Sequence, residues 1–135
     1  MLAQLKNQLH ILKKYWGYES LRKHQQDVIE HILNKNDVLA GKEDGVWRKY
    51  SAEEYVSMSN SIGYGLLNLG IERGDKISIV SQNRPEWNLA DMGINKIGAI
   101  NVPIYPNITS ADYEYILNDA GVKVLFVGSE EIYEK

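Results

Sequence analysis

The sequence contains no cysteine. That excludes a disulfide framework and any metal site built on thiolates. It fits a reducing compartment, and a cytoplasmic location is the expectation. No apolar run approaches the ~18 residues of a membrane span, so contact with a membrane is expected to be peripheral at most. The N-terminus has no apolar block followed by a small-residue cleavage site; Lys6, Lys13 and Lys14 are instead spread through an amphipathic pattern. A surplus of positive charge is also missing. The formal net charge is -3, which argues against nucleic acid as a partner of the whole chain. Proline is scarce: Pro85, Pro103 and Pro106 are the three present, and all sit at connectors, where fixed backbone angles shape turns.

The 135 residues, 44% of them hydrophobic, suffice for one ordinary domain with a core. Charge is distributed unevenly. Residues 1–41 carry six Lys/Arg and four Asp/Glu, whereas residues 42–135 carry nine and fourteen. The stretch around which the chain is organised runs from Gly74 to Val127. It reads strand (Lys76–Ser81), helix (Glu86–Gly98), strand (Ile100–Tyr105), helix (Ser110–Ala120), strand (Val122–Val127). Strands alternating with helices of this length imply parallel pairing with crossover helices. The expected fold class is α/β: an N-terminal helical pair followed by a partial doubly wound sheet with parallel strands.

In the first 41 residues, Leu2, Leu5, Leu9, Leu12 and Trp16 recur at spacings of three and four, which places them on one helix face. Gly17 ends that helix, and Ser20 opens a second with Val28, Ile29, Ile32 and Leu33 on its buried side. His24 and His31 share a face of it, but no third ligand accompanies them, so no metal site is expected. Asp37–Ala40 begins a strand. The run from Leu12 to Ile29, LKKYWGYESLRKHQQDVI, resembles the start of a RecQ-type DNA helicase, and NDVLA at 36–40 resembles the strand that leads into that family's phosphate loop. The resemblance implies that Tyr18, Arg22 and Gln25 grip an adenine, a role for which a glutamine amide offers both donor and acceptor. It also implies a phosphate loop, G-x-x-x-x-G-K followed by Ser or Thr, directly after the strand. No such loop occurs in the chain, which leaves phosphoryl transfer of that type without its machinery.

From Lys42 onward the pattern changes. Asp44-Gly45 is a tight turn before the strand Val46–Tyr50. Ser51 and Glu54 form a capping box. Tyr55, Met58, Ile62, Leu66 and Leu69 then line one helix face, and Gly63 and Gly65 imply close approach of a neighbour. Asn83 is the expected cap of the next helix, with Pro85 in its first turn and Trp87, Ala90, Ile94 and Ile97 as its buried stripe. Thr109 or Ser110 opens the helix after that, with Tyr113, Ile116 and Leu117 inward. Val122–Val127 is a nearly continuous apolar run, as expected of a strand buried on both faces.

Residues 42–135 resemble the adenylate-forming (AMP-binding) enzymes, long-chain acyl-CoA synthetases in particular. The matching phrases are Tyr50-Ser51, YGLLNLGI at 64–71, RGDKI at 73–77, SQNRPEW at 81–87, IGAINVPIYP at 97–106 and YILNDA at 115–120. The resemblance implies activation of a fatty acid by ATP with magnesium, then transfer of the acyl group to coenzyme A. In that family the glycine- and Ser/Thr-rich phosphate loop, the ribose-binding Asp and the catalytic Lys come later than this segment, so no catalytic residue carries over to a position here. Two substrate-side candidates remain. Arg84, in the SQNRPEW connector, has the chemistry to hold a carboxylate or phosphate, or else belongs to a capped helix start. Tyr105 lies at the C-terminal end of a parallel strand, where ligands of α/β sheets bind, or in a loop merely shaped by prolines.

The organisation expected is therefore a helicase-like segment, 1–41, joined near Ala40–Lys42 to part of an acyl-CoA synthetase, 42–135, as a natural remnant, an engineered fusion or an error in assembling the gene. The expected function is that of a fatty acid–CoA ligase fragment, inactive alone. The alternatives are an ATP- and DNA-associated helicase fragment, and a non-catalytic module that self-associates through an open sheet edge.

Overall fold

The computed structural model describes residues 37–135 and, ahead of them, only His10, Lys13, Lys14, Glu19, Ser20, Arg22, Lys23 and Asp27. The helical pair expected over 1–41 otherwise lies outside the described residues.

Two strands, β1 (Asp37–Glu43) and β2 (Val46–Ser51), pair antiparallel through the Asp44-Gly45 turn. Both turn residues have positive φ, 49° and 82°, the primed geometry whose twist matches the flanking strands. The strand expected at Asp37–Ala40 thus runs on to Glu43, across the boundary expected near residue 41. Tyr50 is buried at 1% exposure and donates its hydroxyl to Glu43 Oε1 at 2.9 Å. Burial, reinforced by that bond to a carboxylate, pushes its pKa up.

Helix α1 (Ala52–Asn68) follows directly. Its capping box is present as read: Ser51 Oγ accepts from Glu54 N at 3.2 Å, and Ser51 N donates to Glu54 Oε2 at 2.8 Å. Leu66 is buried, Tyr55, Met58 and Ile62 are half-buried, and Leu69 is exposed, because the helix gives way to the turn there. Of the two glycines, only Gly63 meets a neighbour. A Cβ on it would lie 3.2 Å from Ile97 Cγ2 and 3.3 Å from Gly93 O, whereas one on Gly65 would meet nothing within 4 Å.

A three-stranded parallel sheet forms from β3 (Lys76–Val80), β4 (Ile100–Ile104) and β5 (Val122–Val127), in the order β4-β3-β5. The crossovers are α2 (Pro85–Lys96) and α3 (Ser110–Ala120), and α4 (Glu130–Tyr133) follows β5. Side chains of β3 alternate between faces. Ile77 and Ile79 pack with Ala90 and Ile94 of α2 and Leu66 of α1. Val80 packs with Ile104 and with Tyr113 of α3, joined by Ile116, Leu117 and Ile132. The helices therefore cover opposite faces, as a doubly wound sheet requires. Each fully buried Ile or Leu contributes about 1.5–3 kcal/mol, so β3, with four buried residues, anchors the unit. Lys96 ties α2 to α1, donating to Ser59 Oγ at 2.7 Å and Asn60 Oδ1 at 2.8 Å.

Three expectations are corrected. β5 is not buried on both faces: Lys123 and Leu125 are exposed, because the described sheet places β5 beside one strand only. β4 likewise pairs only with β3, and at such an edge Pro103 is tolerated inside the strand. The cap of α2 is Arg84, with no side-chain cap bond, and not Asn83.

Candidate functional site

In an open α/β sheet, ligands bind beyond the carboxyl ends of strands whose connections leave toward opposite faces. β3 and β5 are such a pair. β3 leads into α2 on one face, and β5 leads into α4, whose Ile132 packs on the other. A crevice of about 250 Å³ opens there, lined by Ile79, Ser81, Arg84, Trp87, Phe126 and Gly128 among others. A second cleft, of about 280 Å³, adjoins it at the end of β4 and is lined by Asn83, Pro103, Tyr105 and Pro106, with Ser81 and Trp87 common to both.

The crevice is held in shape by one guanidinium. Arg84 donates from Nε and Nη2 to the Glu86 carboxylate at 2.9 and 3.3 Å, and from Nη1 to the Gly128 carbonyl at 3.0 Å. The first two bonds form a fork on one carboxylate; the third reaches the loop after β5. The bond to Arg84 holds the Glu86 carboxyl below its ordinary range, and Glu86 in turn raises the guanidinium pKa. A carboxylate so held is a weak base, which equips the crevice to hold a ligand rather than to move its protons. Gly128 N also donates to Val80 O at 2.9 Å. A Cβ on Gly128 would fall 2.9 Å from the Ser81 Cα, so no larger residue fits where the two loops meet.

The structure thus brings Arg84 and Tyr105 to neighbouring clefts at one end of the sheet. Tyr105 is 79% exposed, and its carbonyl accepts from the Tyr113 hydroxyl at 3.1 Å. Tyr18 and Gln25 lie outside the described residues; Arg22 is exposed. Ser81 and Gly128 were not singled out from sequence, and Glu86 was read only as part of the helix start, where it stands in the first turn of α2. The signal for Ser81 and Gly128 was positional: each follows a strand of the parallel sheet. Among the described residues no three His, Cys, Asp or Glu side chains converge as a metal site would need, and no helix is long and apolar enough to cross a membrane.

The described fold matches known proteins. The family model of the AMP-binding enzymes fits residues 29–135. The chain belongs to the AMP-binding enzyme family. Within that family it is 29% identical over 107 residues to the long-chain-fatty-acid–CoA ligase FadD15 of Mycobacterium bovis, covering 79% of this chain and 17% of the ligase. A short uncharacterized protein of Mycobacterium tuberculosis, Rv1549, is 31% identical over 85 residues, 63% of this chain and 46% of that protein. Among solved structures, the anthranilate CoA ligase AuaEII in complex with anthranoyl-AMP superposes with a TM-score of 0.66 at 28% identity, over 80% of this chain and 21% of the ligase. The chain therefore spans 17% and 21% of these two ligases. The family match begins at residue 29, inside the segment that resembles a helicase, and these relatives lend no support to the helicase resemblance or to a junction.

Proposed function

We propose that this chain is a segment of an ATP-dependent fatty acid–CoA ligase. In the overall reaction a fatty carboxylate oxygen attacks the α-phosphorus of ATP and expels pyrophosphate. The thiol of coenzyme A, losing its proton, then attacks the acyl carbonyl and expels AMP. The observation that carries this reading is the family match over residues 29–135 together with the fatty-acid ligase among the relatives. Arg84 and Tyr105 are the substrate-side residues of this segment, a role supported by their place at the carboxyl ends of β3 and β4. Magnesium accompanies the nucleotide in the whole enzyme; the described residues offer it no converging ligands. A cytoplasmic location, supported by the lack of cysteine, completes the reading.

The isolated 135-residue polypeptide forms no acyl-CoA, because its sequence has no glycine- and Ser/Thr-rich phosphate loop. Incubation with palmitate, ATP, magnesium and coenzyme A tests this; palmitoyl-CoA formed by the purified chain, with contaminating ligase excluded, overturns it. The helicase-like origin of residues 1–41 rests on the sequences of 12–29 and 36–40, and β1 runs across residue 41. A single long DNA read through the locus decides it. An intact frame through codons 38–44 makes the joined gene real, and separate helicase and ligase genes remove it. Self-association draws on one observation, Ile100 and Leu125 being 49% and 40% exposed on the two edge strands. Sedimentation that shows a strict monomer at high concentration removes that reading.

A further inference from the structure

On the face of the sheet opposite α2, a groove of about 490 Å³ runs between α3, β5 and α4. Its lining is largely apolar: Tyr113 and Leu117 of α3, Leu125 and Val127 of β5, Ile132 and Tyr133 of α4. Leu125 and Tyr133 are 40% and 78% exposed, and among the described residues nothing covers them. The surround is acidic. Residues 110–135 carry Asp112, Glu114, Asp119, Glu130, Glu131 and Glu134 against Lys123 and Lys135. Glu114 lines the groove, and Lys123 is already paired with Asp75 at 2.7 Å. An apolar groove with an acidic rim suits an amphipathic helix of positive charge. A second copy of the same face suits it poorly, because two-fold pairing sets like against like and here brings acidic rim to acidic rim.

The chain's own N-terminus has the complementary character. Residues 1–24 carry five Lys/Arg and one acidic residue, Glu19, which Lys13 pairs at 2.8 Å. His10, Lys13 and Lys14, at spacings of three and four, are helical and exposed. The same periodicity puts Leu5, Leu9, Leu12 and Trp16 on another face, and anchors spaced in this way are how a helix fills a groove. Residues 17–36 join this segment to β1. Even a wholly helical connection of that length spans about 30 Å, the diameter of a small domain, so the groove is within reach. The tether also raises the effective concentration of the segment over that of a free competitor.

We propose that residues 2–16 dock into this groove, with Leu5, Leu9, Leu12 and Trp16 against Leu117, Leu125 and Tyr133, and the positive charge of the segment beside the acidic rim. This contact goes beyond the ligase reading and does not rest on it.

The chain has no cysteine, so Asn7→Cys carries a single nitroxide label on the polar side of the segment. Amide NMR of the labelled 135-residue chain reads which residues the label broadens. Strong broadening is expected at Tyr113, Leu117, Leu125 and Ile132, and little at Tyr64 and Leu67 of α1, on the opposite side of the sheet. Labelled chain mixed with isotope-enriched, unlabelled chain should show none, since the contact lies within one molecule. In the labelled chain, Leu9→Asp with Leu12→Asp abolishes the broadening. So does Leu125→Lys, a change at an exposed edge position that leaves the core filled. Glu114→Lys with Glu134→Lys reduces it. The proposal is overturned by an absence of broadening, by broadening centred on another face, or by equal broadening in the mixture, which makes a second copy the occupant. Broadening that survives Leu125→Lys, or that the double charge reversal leaves unchanged, overturns it equally.

Discussion

Three helical glycines give the contact between α1 and α2 a graded test. Alanine is favoured over glycine inside a helix by about 1 kcal/mol, so each Gly→Ala change begins with the same gain. What differs is the space. A Cβ on Gly65 meets nothing within 4 Å, and Gly65→Ala should stabilise by about 0.4–1 kcal/mol. On Gly63 it meets the tip of Ile97 at 3.2 Å and Gly93 O at 3.3 Å; small adjustments offset the gain, and the net change should be near zero. On Gly93 it lies 2.8 Å from Ile62 Cγ2, 2.9 Å from Ile62 Cβ and 3.0 Å from Ser59 O. Ile62 Cβ is fixed to its backbone and Ser59 O is backbone, so no rotamer change clears them and the helices must part. Overpacking of this kind costs about 1–3 kcal/mol. Set against the helix gain, Gly93→Ala should destabilise by up to about 2 kcal/mol and loosen the contacts that Lys96 makes with Ser59 and Asn60. Urea unfolding followed by circular dichroism reads all three. The reasoning is refuted if Gly93→Ala is as stable as the natural chain, or if Gly65→Ala is the most destabilised of the three.

Ser51→Ala removes the acceptor for Glu54 N and should cost about 1 kcal/mol, and Thr109→Ala at the second capping box should cost a similar amount; loss of neither would show that the caps do not matter to folding. Acid stability carries the signature of Glu86. Its folded pKa lies below the unfolded value of about 4.3, so its contribution is present above that value and is lost as pH falls through the folded one. Glu86→Gln should therefore flatten the acid limb of a stability–pH curve below about pH 4.3, and an unchanged limb would contradict the Arg84 pairing. Gly128→Ala should displace the loop after β5 from Ser81 and open the crevice, seen as altered amide shifts at both loops; unchanged shifts would refute the close approach.

Much of the fold was legible because it is encoded locally. The Ser51 and Glu54 box, the 3.6-residue stripe of Ala90 and Ile94, and the alternation of strand and helix each depend on neighbours a few residues apart. Failures arose where a residue's role depends on distant chain. Val122–Val127 reads as central from its composition, but whether it has one neighbour or two is set by the strand order β4-β3-β5, which no local pattern records. Gly63 and Gly65 are alike in sequence, and only the position of α2 separates them. Asn83 is a better capping residue than Arg84, yet Pro85 at the first helical position makes Arg84 the cap, and its side chain is drawn away to Glu86 and Gly128. Arg84 and Tyr105 were found as candidates because the ends of parallel strands are where ligands lie. Ser81 and Gly128 were not, because their closeness exists only once β3 and β5 are side by side.

The most direct test of the ligase reading is fatty-acid-dependent exchange of labelled pyrophosphate into ATP, measured on the longest reading frame that contains residues 29–135. Exchange that requires a fatty acid is expected, with thioester formation when coenzyme A is added. A folded full-length product that catalyses no exchange with any fatty acid would contradict it.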